Sequence, residues 1–533
     1  MHRLGRGIII LGGLALALGA CWAGLTVGPA WAAEVLTAVF PTAPTTLDPH
    51  RAVDFSSWTF IHPCYQRLTA FKGQTTEVVP ALAATWRVSD DGLLYTFVLN
   101  QDQVFADGRP VDAQAVKFSF DRALELGTVG PLFFPELVRT AVLGPHTIRF
   151  FLSRPSLFFP QALASVPASI VGPGVLDQPP DYLDRRSLGS GEYLVEEFEP
   201  NRKITLALRP EAAYTLPISR FEVLFEPDPQ KELDLLVRGE VFLAAGLQSS
   251  QKAELEANDI LAAPDLPGLT AEVIFINRRR PWLDRLEARR ALGLSLDYQA
   301  LRDFLSPRAK LGSNGPVPWG LPGVRQGSGV ILRDLALARE KLAAAPPLPK
   351  QAPRLLVDAA EKWRAAEAEL LRQFLKEIKV NVKITLLSPT DFKEALQRED
   401  FDLALTSIRP RTADPEAILA SWLDIPGQVR APGAGPGDAP EALALFQASA
   451  SDRDKKSLIR RLGQVQEKLN DRVPALFLFQ YGPFYGISKR LQRLEVNPMT
   501  PEVLPLALLR LGPPPPPPLP DIPREGIGLG ETR

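Results

Sequence analysis

One stretch, Ala84–Arg122 (ATWRVSDDGLLYTFVLNQDQVFADGRPVDAQAVKFSFDR), constrains this chain more than any other, because its local signals allow one order of elements. Trp86 and Val88 share one side of a strand that stops at Ser89-Asp90-Asp91-Gly92. There Gly92 supplies a positive φ and the Asp side chains bond nearby amides. The returning strand alternates, with Leu93, Tyr95, Phe97 and Leu99 on one face and Leu94, Thr96 and Val98 on the other. Asp107-Gly108 makes a second turn, and Asp112 is placed to cap a helix with Val116, Phe120, Ala123 and Leu124 on one stripe. The expectation is a β-hairpin feeding a helix.

At 533 residues the chain exceeds one ordinary core, so two or three domains are expected. A net charge of −1 argues against nucleic acid as a partner, since that footprint needs a basic excess. The first 32 residues read as an export signal. His2, Arg3 and Arg6 precede the apolar run Ile8–Leu18, and Ala30-Trp31-Ala32 has the small-x-small form of a cleavage site. The competing reading is a lipoprotein, with Leu18-Gly19-Ala20-Cys21 as a lipobox and Cys21 acylated. After cleavage Cys64 alone remains, so no internal disulfide is expected, and Cys64 reads as a small buried apolar residue.

Further along, Val35–Phe40, Thr147–Leu152, Tyr193–Phe198, Lys203–Leu208, Val273–Asn277, Val380–Leu386, Phe401–Thr406 and Ala475–Phe479 read as strands. Glu361–Ile378 reads as an amphipathic helix with Trp363, Ala366, Leu370, Phe374 and Ile378 on its apolar face. Asp391–Gln397 and Ser457–Asn470 read as helices. Residues 346–353 form a connector, and residues 426–440, rich in Gly and Pro, a surface loop. The tail 513–533, with six consecutive prolines, reads as extended and disordered.

Catalytic chemistry needs a nucleophile with a base, a carboxylate pair or a metal cluster. The four His (His2, His50, His62 and His146) lack metal-site spacing and no Cys clusters with them. No nucleophile elbow or phosphate-binding loop occurs, and Gly312-Ser313-Asn314-Gly315 reads as a plain loop. No enzyme, cofactor or bound metal is expected.

The run Trp86-x-x-Ser89-Asp90-Asp91-Gly92-x-x-Tyr95-Thr96-Phe97-x-Leu99, then Val104-Phe105-Ala106-Asp107-Gly108-Arg109-Pro110, then Val116-x-Phe118-Ser119-Phe120-x-Arg122 resembles a family signature. The family is the extracytoplasmic solute-binding proteins of peptide, dipeptide and nickel ABC importers. Leu47-Asp48-Pro49, Leu188–Tyr193, Gly239-Glu240-Val241 and Leu286–Leu292 with Ser295–Tyr298 resemble its later motifs, so the likeness spans roughly residues 35 to 510.

The resemblance implies an α/β, two-lobed periplasmic-binding-protein fold, class II-like, with an additional small α/β lobe. Lobe I would take residues 33–70, 186–276 and 489–512, small lobe II residues 71–185, and lobe III residues 277–488. The hinge crossings would lie near Asn277 and Ile487. It also implies an exported monomer that captures a small-molecule solute and hands it to ABC permease subunits served by ATPases. A sensor of the same fold and an exported hydrolase are the rival readings. A chelated metal as cargo is a further one.

Ser407–Pro415 departs from the pattern. Peptide-binding members carry a Gly-Trp-x-(Gly/Ala)-Asp-x-x-(Asp/Glu)-Pro run here, whose first Asp takes the peptide's amino terminus. Asp414-Pro415 fits its end, but Ile408 stands at the Trp position and Arg411 at the amine-binding Asp position. Reversing that sign repels an ammonium, so Arg409 and Arg411 point to a carboxylate, phosphate, sulfonate or sugar ligand. The alternative is that both face solvent or pair with Asp402 or Asp414. Asp54, Phe55 and Trp58 stand where the family's first helix meets the cleft, and Trp422 is a further stacking candidate.

Overall fold

A computed structural model describes residues 34–210, 216–305, 309–311, 315–324, 332–360, 363–423, 425, 430–433 and 439–513. The export segment with Cys21, Gly312–Asn314 and the tail beyond Pro513 lie outside them, as does part of the 426–440 loop.

The hairpin and helix form as their local signals dictate. Strands Ala83–Val88 and Leu94–Leu99 pair antiparallel with Trp86 opposite Phe97, and Gly92 takes φ +73°. Tyr95, Phe97 and Leu99 are buried, whereas Leu94, Thr96 and Val98 are half-buried. Asp112 caps helix Ala113–Leu126 by accepting from the Ala115 amide at 2.8 Å. This helix lays Phe120 edge-on to Phe150, with ring centroids 4.8 Å apart. Strands Leu137–Gly144 and Thr147–Leu152 complete a four-stranded sheet, the core of lobe II.

Lobe I is a seven-stranded sheet centred on Glu34–Phe40. That strand is parallel to both Ile218–Phe225 and Leu243–Ala244, and it is apolar because it is covered on both faces. Lobe III is a six-stranded sheet centred on Thr270–Ile276, flanked by Ala475–Tyr481 and Leu403–Ile408, both antiparallel to it. One large hydrophobic core runs through lobes I and II beside a smaller lobe I cluster, and two further clusters fill lobe III, one of them taking in Phe158 of lobe II and Met499.

Two expectations are corrected here. Thr270–Ile276 hydrogen-bonds in the lobe III sheet and Gly486–Ser488 in the lobe I sheet, so both boundaries shift towards lower numbers. The chain therefore crosses at residues 263–269 and again at 482–485, and Asn277 lies at the far end of its strand. The crossings press together at two glycines: a Cβ on Gly268 would sit 2.4 Å from Gly482 Cα, and one on Gly482 2.0 Å from the Leu266 carbonyl oxygen.

The second correction concerns helix Arg364–Glu377. It buries Arg364, Glu367, Ala368, Leu371, Phe374 and Leu375, while Ala366 is exposed and Leu370 only half-buried. The helix is rotated because Arg364 turns inward to Glu272 in the central strand, with Nε to Oε1 at 2.8 Å.

Candidate functional site: a cleft between the lobes

A cavity of about 1520 Å³ opens where the lobes meet the crossings. Phe55 and Gln248 line it from lobe I, Leu132 and Arg154 from lobe II, Ser407–Thr412 and Trp422 from lobe III, and Gly482–Tyr485 from the second crossing. Among the described residues its wall carries four arginines (Arg154, Arg409, Arg411 and Arg430) against two carboxylates, Asp265 and Glu502, which biases the space towards anions.

Arg411 lies in the loop between strand Leu403–Ile408 and helix Pro415–Ala420. It is exposed at the cavity wall and makes no ion pair or hydrogen bond among the described residues. Arg409 also lines the cavity, but its guanidinium is engaged. It lies over the Phe55 ring with Cζ 3.7 Å from the centroid, pairs with Glu502, and donates from Nη2 to the Met499 carbonyl at 2.8 Å. Neither arginine pairs with Asp402 or Asp414. Asp402 instead accepts from Trp282 Nε1 and the Arg354 amide.

Asp414 caps helix Pro415–Ala420, accepting from the Glu416 amide at 2.8 Å, so Asp-Pro here sets a helix start. Asp54 does the same for helix Phe55–Cys64 and is not among the residues lining the cavity. Its carboxylate accepts from the Ser57 amide and from the Thr45, Ser56 and Ser57 hydroxyls. Burial acts to raise its pKa, but these hydrogen bonds outweigh it and hold the group below the ordinary value. Asp54 is thus a capping residue, since its acceptor sites are already spent.

The three aromatic candidates reach the cavity to different extents. Phe55 is half-buried, its ring covered by Arg409 and met edge-on by Trp58 at 4.9 Å. Trp58 is 3% exposed and donates from Nε1 to the Ala52 carbonyl, which makes it mainly core. Trp422, 6% exposed, stacks on Phe275 at 5.8 Å.

The profile of the bacterial extracellular solute-binding proteins, family 5, middle region, matches residues 77–428. The chain belongs to this family. Among the relatives of this family 5 protein is the probable D,D-dipeptide-binding periplasmic protein DdpA of Escherichia coli K12. It is 27% identical over 471 residues, covering 86% of this chain and 91% of DdpA. The fold matches that of the ABC transporter substrate-binding protein CtaP from Listeria monocytogenes at TM-score 0.80, with 19% identity over 90% of this chain and 99% of that one. It also matches NikA from Brucella suis in complex with Fe(III)-EDTA at TM-score 0.79, with 18% identity over 90% of this chain and all of that one.

In this family 5 protein the wall behind the cleft is ionic. Tyr481, Trp363 and Ser407 line the cavity, and Tyr481 donates to Glu272 Oε2 at 3.2 Å while Arg364 reaches Ser407 Oγ at 3.3 Å. Among the described residues, no group of three or more His, Cys, Asp or Glu could hold a metal. His50 is buried between Asp48 and Arg122; burial foremost lowers its pKa to about 4, leaving it neutral. Cys64 is buried and its thiol is pushed up to about 12, chiefly by burial, so it is inert.

At the junction of lobes II and III, Glu136, Asp414 and Glu416 are all buried, with Arg154 4.0 Å from Glu136. Burial, then the facing carboxylates, pushes Asp414 to about 6 and Glu416 to about 8.

Sequence reasoning missed Tyr481–Tyr485, Trp363, Arg154 and Glu502 as cleft residues. The Tyr-Gly-Pro-Phe-Tyr run ending the strand after Ala475 was a usable signal, because a buried strand that breaks into Gly-Pro with aromatics marks a crossing at a site. Glu502 carried no local signal.

Proposed function

We propose that this solute-binding protein works outside the cytoplasm as the capture subunit of an ABC importer. Lobes I and III close over a small solute at the 263–269 and 482–485 crossings and present it to a membrane permease driven by partner ATPases. The solute is anionic, and Arg411 is its principal charged contact. The observation that carries this reading is the exposed Arg411 at the cavity wall, unpaired among the described residues. A guanidinium there can take a carboxylate or phosphate through paired, charge-assisted hydrogen bonds. Phe55 and Trp422 supply the apolar walls, and the capping by Asp54 supports the wall that carries Phe55.

A second reading is favoured by the likeness to DdpA, named for D,D-dipeptides. In that case Arg411 would hold a peptide by its carboxylate, with no acidic group at its own position for the amine. Native mass spectrometry of protein purified without refolding tests both. A co-purified non-peptide carboxylate or phosphorylated molecule supports the first reading, and a D,D-dipeptide the second. A ladder of ordinary L-peptides with varied carboxyl ends contradicts both.

A further inference from the structure

Arg409 sits at the cleft, yet its bonding is directed within the protein. It directly follows strand Leu403–Ile408, whose Ile408 pairs with Ala271, the second residue of the lobe III strand entered from the first crossing. The guanidinium therefore projects from lobe III at the base of the hinge. Of its partners, Phe55 and Glu502 belong to the other side, whereas Met499 has its side chain in a lobe III cluster. Phe55 opens the lobe I helix Phe55–Cys64. Glu502 and Met499 lie on the C-terminal segment, whose Val496, Leu504, Leu506 and Leu509 pack into the core shared by lobes I and II.

The guanidinium makes three contacts. One face covers the Phe55 ring, Nη1 meets Glu502, and Nη2 donates to the Met499 carbonyl. The side chain is 9% exposed, so the interaction operates with little solvent screening. The receiving segment is fixed in turn by Tyr485, whose hydroxyl donates to the Pro501 carbonyl at 3.1 Å. Arg409 Nε is buried without a partner.

We infer that Arg409 is a positioning residue, a brace that joins lobe III to Phe55 and Glu502 and biases the protein towards the closed arrangement before any solute enters. The inference rests on the two-lobed capture proposed above. Contacts made only on closure raise the closed fraction, and apparent affinity rises in proportion to the binding-competent fraction. Because the brace lies beside the crossings, a small change of angle there becomes a large displacement at the rim. Arg411, two residues on, is left as the cation for the solute.

The test needs no ligand. Spin labels at Glu125→Cys in lobe II and Lys383→Cys in lobe III, both exposed positions, report the inter-lobe distance distribution of the solute-stripped protein. Arg409→Gln is expected to lower the closed-to-open ratio about tenfold, and Arg409→Lys to recover only part of it, since an ammonium cannot stack and fork together. Glu502→Gln is expected to act in the same direction, and the Arg409→Gln/Glu502→Gln double variant to add little to Arg409→Gln alone. Thermal unfolding of each variant confirms that it is folded. Distances in Arg409→Gln matching the parent, or fully additive effects in the double variant, overturn the brace. Because no solute is present, an error about Arg411 or the anion leaves this outcome unaffected.

Discussion

Arg364 and Glu272 form an ion pair with no access to solvent: Nε lies 2.8 Å from Oε1, and the side chains are 1% and 0% exposed. The pair is the interior support of the cleft wall, because Tyr481 and Ser407, which face the cavity, hydrogen-bond to it. Removing one partner leaves a buried uncompensated charge. Arg364→Met is expected to cost about 3–5 kcal/mol of stability, read from urea unfolding, whereas replacing both residues with apolar ones should recover much of it. A single variant as stable as the parent would refute the arrangement.

Glu416 and Asp414 make stability depend on pH. Their ordinary values are 4.5 and 3.8, and both are raised in the folded protein, to about 8 and about 6. A raised carboxyl contributes its stability below its unfolded pKa and loses it as pH climbs through the folded value. Facing them are Glu136, Arg154, Asp452 and Lys455, a set too poor in cations to hold both acids ionised. The unfolding free energy from urea titration should therefore fall between pH 5 and pH 8.5 by an amount on the order of 2 kcal/mol. Glu416→Gln should flatten that slope and be the more stable form at pH 8.5, an outcome that simple damage to packing does not produce.

Arg411 should matter to binding and little to folding. With the co-purified anion as titrant, Arg411→Glu is expected to abolish calorimetric binding and Arg411→Ala to cost about 2–4 kcal/mol of affinity. The melting temperature of the stripped protein should move by less than about 2 °C, because an exposed side chain without partners contributes little to stability. Unchanged affinity removes Arg411 from the site.

Gly482 limits how the crossings can pass. Gly482→Ala places a methyl 2.0 Å from the Leu266 carbonyl, and that oxygen belongs to backbone with no flexible end to yield. The substitution is expected to destabilise by about 2–4 kcal/mol, seen as a lower thermal midpoint. Gly144, which like Gly482 lacks a positive φ and whose added Cβ meets nothing within 4 Å, is the control for general glycine effects.

Much of the fold was legible because its signals are local. The Ser89–Gly92 turn, the alternation to Leu99 and the Asp112 cap are decided by residues within a few positions of each other, and they appear where expected. The Asp54 position was legible as a helix start, but its assignment to the cleft did not follow, since a capping carboxylate and a ligand-binding one look alike in sequence. The chain by itself also determined the sign of the charge at Arg411, because an arginine stays cationic whatever surrounds it.

What only the tertiary structure decided was the use to which charged side chains are put. Hydrophobic spacing along residues 361–378 placed Arg364 and Glu367 outward; Glu272, 92 residues before Arg364, turned the helix so that both are buried. Likewise Arg409 and Arg411 are chemically alike and two residues apart. Phe55 and Glu502, far away in sequence, engage one of them and leave the other at the cavity wall. Periodicity averages over a face, whereas an ion pair is a contact between two particular residues brought together only when the lobes have formed.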